Sequence, residues 1–215
     1  MRPSLLRAAD SSQLLFMAGR LTRADARIIQ LISAMPREGV STLAGDLAIF
    51  AASNAGHPVL LLDLGLPTGH QLDRFAKMGA ARAPGQGEPA PLPHELGGGA
   101  IEIATIPGTQ LRISRRLAPT EVSDIPQVTG ERFADWLRSR FEWVIVDAPS
   151  IARNFDGIVT AGFADAVLIV VAAETTRAPV VDHLRDRLVD AQANIAGVIM
   201  NRRKFYIPRF LYRRL

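Results

Sequence analysis

The chain has 215 residues, 48% hydrophobic and 21% charged, enough for one large domain with a real core and ordinary for a globular fold. It holds no cysteine, which excludes disulfides and thiolate metal sites, and no apolar run reaches the roughly 18–20 residues of a membrane span. The net charge is +4 and the pI about 10.3. Arginine accounts for that skew, because Lys77 and Lys204 are the only lysines and neither lies near the loop that matters below. The opening Met1-Arg-Pro-Ser-Leu-Leu-Arg7 lacks the apolar stretch and cleavage site of a signal peptide, so a cytoplasmic location is expected.

Residues 1–26 read as a helical lead-in, with Leu14, Leu15, Phe16, Met17 and Leu21 as its apolar positions. Arg27–Ser33 is a short apolar run and the first core strand. Thr42–Ala55 follows with Leu43, Leu47, Phe50 and Ala51 at helical spacing, and Gly56-His57-Pro58 stops it. Val59–Asp63 is a second buried strand, apolar throughout as parallel strands are. Strand, glycine turn, helix, strand is a βαβ unit.

The alternation continues. Ala100–Ile106 is a third strand, Trp143–Asp147 a fourth, Ala166–Val171 a fifth and Ile195–Met200 a sixth. Glu131–Arg140 is a helix with Phe133, Trp136 and Leu137 inward, and Pro179–Ala191 is another. Six strands alternating with helices predict an α/β fold with an open, mainly parallel sheet covered on both faces. Residues 79–99, rich in Ala, Pro and Gly, read as a flexible loop. Residues 107–130, with Pro107, Pro119 and Pro126, read as an irregular connection with a short helix. The expected organisation is a lead-in (1–26), one P-loop NTPase-like domain (27–201) and a basic aromatic tail (202–215).

After the first strand the sequence runs Ala34-Met-Pro-Arg-Glu-Gly-Val-Ser41-Thr42. The phosphate-loop pattern is Gly or Ala, four residues, then Gly-Lys-Ser/Thr. Ala34, Gly39 and Ser41 fit, and Val40 stands where the lysine belongs. Backbone N–H groups and the positive helix end favour an anion there. Losing the lysine removes a unit charge from the terminal phosphates, and losing one such preorganised donor costs about 10²–10³ in rate. Arg37 is able to lean over the phosphates, but it also crowds the loop. Taken alone, Pro-Arg-Glu-Gly reads equally well as a plain strand-to-helix turn.

Asp63 and Asp147 end the second and fourth strands after apolar runs, so both emerge at the carboxyl edge of the sheet, where open α/β sheets bind ligands. Ser41 between two carboxylates is a candidate Mg²⁺ site, since that ion prefers oxygen ligands and phosphate. Each aspartate by itself also reads as a turn or helix cap. In this order, with the loop, they point to nucleotide-fold ancestry.

Ile28–Ala48, Val59–Leu72, Phe141–Ser150 and Gly162–Arg203 resemble the cytoplasmic domain of the bacterial tyrosine autokinases (BY-kinases), within the deviant-Walker group that includes the MinD and ParA ATPases. The family's Pro-Gly-Glu-Gly-Lys-Ser-Thr is here Pro36-Arg-Glu-Gly-Val-Ser-Thr42. Its strand ending Asp-x-Asp-x-Arg is here Asp63-Leu-Gly-Leu-Pro67, so Gly65 and Pro67 replace the second Asp and the Arg. Its Asp-x-Pro is matched in full by Asp147-Ala-Pro149. Of its Glu-x-x-Arg-x-x-Arg oligomerisation motif, Arg20-Leu-Thr-Arg23 is at most a remnant. In place of a C-terminal tyrosine cluster the chain has only Tyr206 and Tyr212.

The resemblance implies a vestigial nucleotide site at Pro36, Arg37, Glu38, Gly39, Val40, Ser41, Thr42 and Asn201, the last matching an asparagine that contacts adenine. It implies a metal site at Ser41, Asp63 and Asp147, with Asp63 and Asp147 catalytic if the chain is active, and Mg-ATP or ADP as a weakly held cofactor. The expected partner is an inner-membrane polysaccharide co-polymerase in capsule or exopolysaccharide export, with a homo-oligomer as a further assembly. The expected function is therefore a degenerate, kinase-like partner or regulator. The alternatives are an active tyrosine kinase or ATPase in which Arg37 or a neighbouring subunit supplies the cation, and a MinD- or ParA-like positioning ATPase. Residues 202–215 carry six basic and no acidic residues with aromatics interleaved, which suits an anionic membrane surface, a membrane partner, or packing on the domain itself. Nucleic acid is not an expected partner. His57, His70, His94 and His183 show no metal-ligand spacing.

Overall fold

The computed structural model describes residues 26–65, 70–77, 89–117 and 128–202. The lead-in apart from Ala26, with Arg20 and Arg23 in it, Pro67, Pro119, Pro126, Tyr206, Tyr212 and all of the basic tail beyond Arg202 lie outside them. The strands are β1 (Ile28–Ser33), β2 (Val59–Asp63), β3 (Pro89–Pro91), β4 (Ala100–Thr105), β5 (Leu111–Arg116), β6 (Trp143–Asp147), β7 (Ala166–Ala172) and β8 (Ile195–Asn201). The helices are α1 (Val40–Asn54), α2 (His70–Lys77), α3 (Gly130–Arg140), α4 (Asp156–Ala161) and α5 (Ala178–Asp190).

All eight strands form one sheet in the order β3-β4-β5-β2-β6-β1-β7-β8. From β5 to β8 every pairing is parallel. The core strands carry apolar residues on both faces because both faces are covered. Ile28, Leu60, Leu62, Val144, Val146 and Val167 point into one apolar cluster with Phe133 and Leu137 of α3 and Leu184 and Leu188 of α5. Their alternates Ile29, Leu31, Val59, Leu61, Ile145 and Val170 point into the other, with Ala44 and Leu47 of α1 and Leu72 and Phe75 of α2. Gln30 is a polar residue in the middle of β1. It is fully buried and satisfied, donating to Gly157 O at 2.6 Å and accepting from Thr160 Oγ1 at 2.7 Å.

Three expectations are corrected. The expected third strand is β4, and it runs antiparallel to β5, because a tight turn at Gly108 (φ +71°) joins the two as a hairpin. The region read as an irregular connection contains β5. The region read as a flexible loop contains β3 and a 3-10 turn at His94–Leu96. β3 is Pro-Ala-Pro at the sheet edge, where proline without an N–H donor is tolerated. Helices α2 and α4 also lie beyond the expected set. No helix among the described residues is long and apolar enough to cross a membrane.

Because β6 lies between β1 and β2, the loop leaving β1 emerges beside the end of β6 and one strand away from the end of β2. That topology assembles the site.

Candidate functional site

The loop leaving β1 is braced from behind. Glu38 is buried, and its carboxylate accepts the Met35 N–H at 2.9 Å, the Ala172 N–H at 3.0 Å and the Thr176 hydroxyl. One side chain thus ties the loop to the end of β7. Gly39 caps α1 at φ +99°, and a Cβ there would stand 2.1 Å from Asn201 Nδ2. Only glycine allows both that backbone and that approach. Asn201 Nδ2 in turn donates to Glu38 O at 2.8 Å. Arg37 is exposed with φ +66°, a conformation that favours glycine.

Val40 is the first residue of α1 and only 7% exposed. It belongs to the apolar cluster that includes Leu31, Ala44 and Val170. The side chain at the lysine position therefore serves the core.

Asp63 and Asp147 are opposite one another in the parallel register of β2 and β6, 2% and 4% exposed. Asp147 Oδ1 accepts from Ser41 Oγ at 3.1 Å. Asp147 Oδ2 accepts from Gln71 Nε2 at 2.6 Å, and the same amide donates to Ser41 O at 2.6 Å. Two acceptors around this nitrogen fix the amide orientation, since the flipped amide would set oxygen against oxygen. Asp63 Oδ2 accepts the Gln71 N–H at 3.0 Å and Oδ1 the Gly65 N–H at 2.9 Å, while the Asp63 N–H donates to Ser114 Oγ at 3.0 Å. Burial pushes the Asp147 carboxyl up to about 7, and the nearby Asp63 charge pushes the same way against the Gln71 and Ser41 hydrogen bonds.

Arg74, one turn beyond Gln71, donates to Ser41 O at 3.0 Å and Thr42 O at 3.4 Å and pairs with Asp46 at 3.1 Å. Both side chains of α2 cross α1 at Gly45. A Cβ on Gly45 would stand 2.5 Å from Arg74 Nη1 and 3.2 Å from Gln71 Oε1.

These groups border a cleft of about 400 Å³ lined by the loop, Asp63, Gln71, Asp147, Ser150 and Arg153, with Arg202 at its rim. The structure brings Pro36–Thr42, Asp63 and Asp147 together on this cleft, with the Asn201 amide behind the loop at the Glu38 carbonyl. Sequence reasoning missed Gln71, Arg74, Ser114, Ser150 and Arg153. Gln71 and Arg74 sit on a short polar helix and Ser114 on a strand that was read as irregular chain. Neither segment carries a motif.

Ser41, Asp63 and Asp147 form an all-oxygen donor set of the kind Mg²⁺ takes. The Gln71 amide does not fit that use. It occupies one Asp147 oxygen and the Ser41 carbonyl, and its backbone N–H occupies an Asp63 oxygen. Among the described residues no group of three or more His, Cys, Asp or Glu side chains forms a metal cage.

No protein-family model matches the chain. A tyrosine-protein kinase, CpsD, of Streptococcus agalactiae serotype III (strain NEM316) is 22% identical to it over 181 residues, 82% of this chain and 74% of that protein. The kinase domain of the Escherichia coli tyrosine kinase ETK superposes with a TM-score of 0.65 at 16% identity, covering 97% of this chain and 88% of that one. A ParA family ATPase from Chlorobium tepidum TLS superposes with a TM-score of 0.53 at 17% identity, covering 82% and 74%. The likeness to bacterial tyrosine kinases and ParA-type ATPases read from the motifs is met again in these comparisons. The fold is the P-loop NTPase-like α/β fold of those proteins.

Proposed function

We propose that the chain is a catalytically degenerate relative of the bacterial tyrosine kinases, acting as a partner or regulator in exopolysaccharide biosynthesis and export. Val40 carries this reading. At the head of the phosphate-binding helix it is uncharged and committed to an apolar cluster, so it offers nothing to a terminal phosphate. Gly65, where the resemblance calls for a second acid, removes another charged group. The proposed partner is an inner-membrane polysaccharide co-polymerase, met at the cytoplasmic face by the sheet-edge surface and residues 202–215, either as a single copy or as a homo-oligomer.

A second reading is an active Mg-ATP-dependent tyrosine kinase or ATPase with a substitute cation. It is favoured by Arg37, Arg153 and Arg202, three of the four arginines on the cleft. A MinD- or ParA-like positioning ATPase is supported by the fold likeness alone.

The deciding experiment measures Mg-ATP turnover by the protein as it stands and by Val40→Lys. The degenerate reading expects no turnover from the unaltered chain, and turnover there overturns it. Co-purification with a two-span membrane protein is the result expected of the partner role and not of a positioning ATPase.

A further inference from the structure

A P-loop site that works with a metal keeps its strand-end carboxylates and loop hydroxyl open to a cation between protein and phosphate. Here one residue takes hydrogen-bonding positions on that space. Gln71 reaches both carboxylates at once, Asp63 through its backbone N–H and Asp147 through its side-chain amide, and the amide also takes the Ser41 carbonyl. Its N–H groups supply the partial positive charge that two facing carboxylates need. The arrangement is seated by Gly45, whose missing Cβ leaves the room that Gln71 Oε1 and Arg74 Nη1 fill.

The cleft opens on the start of a 15-residue helix, an end that favours an anion. Ser150 lines the cleft, 5% exposed, with a buried hydroxyl that has no hydrogen-bond partner among the described residues, a group left unsatisfied by the chain itself. Arg37, Arg153 and Arg202 come from three different segments to the same cleft. None of the three side chains has an ion-pair or hydrogen-bond partner among the described residues. Arginine forks match phosphate oxygens.

We propose that this cleft binds the polyphosphate of a nucleoside di- or triphosphate without a divalent cation, Gln71 filling the cation's place and Arg37, Arg153 and Arg202 meeting the phosphate charge. The proposal rests on reading the cleft as a nucleotide site. It deepens the degenerate-kinase reading, because a nucleotide held without metal lacks the ion that neutralises charge on a transferring phosphoryl group.

The test is isothermal titration of the full chain with ADP, ATP and inorganic pyrophosphate, in millimolar magnesium and again in EDTA. ADP affinity is expected to change by less than about threefold between the two conditions. Arg153→Ala is expected to weaken ADP about tenfold in both, the worth of a charge-assisted hydrogen bond. Gln71→Ala, its fold checked by circular dichroism, is expected to gain a magnesium dependence of about tenfold. If that variant does not fold, the magnesium comparison on the unaltered chain decides alone. A tenfold or greater loss of ADP affinity in EDTA overturns the proposal (about 1.4 kcal/mol), as does the absence of binding by any of the three anions. Pyrophosphate binding as tightly as ADP overturns the nucleotide as ligand. Absence of binding leaves the inert-partner reading standing, whereas magnesium-dependent binding with turnover overturns both.

Discussion

Asp63 and Asp147 end neighbouring parallel strands and face each other in register, both buried. Two carboxylates so placed do not both ionise freely, and here the Asp147 carboxyl is raised from 3.8 to about 7, first by burial and then by the Asp63 charge. A carboxyl raised on folding contributes stability that is full below its unfolded value and lost as pH rises through its folded value. Stability should therefore fall from pH 3.8 to about 7 and then level off, by at most about 4 kcal/mol. Asp147→Asn should reduce that slope in urea melts run across the window, leaving the part that comes from Asp46, whose carboxyl burial also raises. Asp165 does not confound it. Burial alone would raise its carboxyl, but the Arg138 hydrogen bond and the Ile28 and Arg27 N–H groups together hold it below its usual range. Its contribution is thus complete above 3.8 and lost only as pH falls through its lowered value.

Glu38→Ala removes the acceptor for Met35 N–H, Ala172 N–H and the Thr176 hydroxyl. A buried donor left without its acceptor costs about 1–3 kcal/mol, and a total loss of roughly 2–4 kcal/mol is expected in denaturant melts. Hydrogen exchange should quicken at the amides of Met35 and Ala172 in particular. Protection unchanged at both would show that the brace does not hold the loop.

Arg37→Gly should do two opposite things. It relieves a left-handed residue at φ +66°, worth about 1–2 kcal/mol, against the extra chain entropy of glycine, about 0.5–1 kcal/mol. A net gain of roughly 0.5–1 kcal/mol is expected in thermal melts. The same change removes a cation from the cleft, so anion affinity should drop as the melting temperature rises.

Gly45→Ala tests how α2 is seated. Alanine is the better helix former by about 1 kcal/mol, yet its Cβ would meet Arg74 Nη1 at 2.5 Å and Gln71 Oε1 at 3.2 Å. Arg74 must swing away, leaving Asp46, which burial already raises and which Arg74 holds down, without its cation. A net destabilisation of about 1–2 kcal/mol is expected by calorimetry. A gain equal to the helix propensity would mean that α2 does not depend on this notch.

The central strands and the helices α1, α3 and α5 were legible because each is an apolar run or a helical stripe. β5 was not, because Arg112, Arg115 and Arg116 hide its two buried apolar positions, Leu111 and Ile113, and the prolines around it flank the strand without interrupting it. In the site, Ser41, Asp63 and Asp147 stood out by position at a loop and two strand ends. Gln71 and Arg74 did not, because their meaning lies in what they touch across α1. Glu38 was legible as a loop residue, but its carboxylate points back toward β7, and only the folded chain sets that direction.

The Glu38 and Asn201 contacts have a bearing on any guest of the cleft. A segment tied at Glu38, through its carboxylate to the end of β7 and through its carbonyl to the end of β8, is shaped before any visitor arrives. The entropic toll of shaping a receptacle on arrival has already been met during folding.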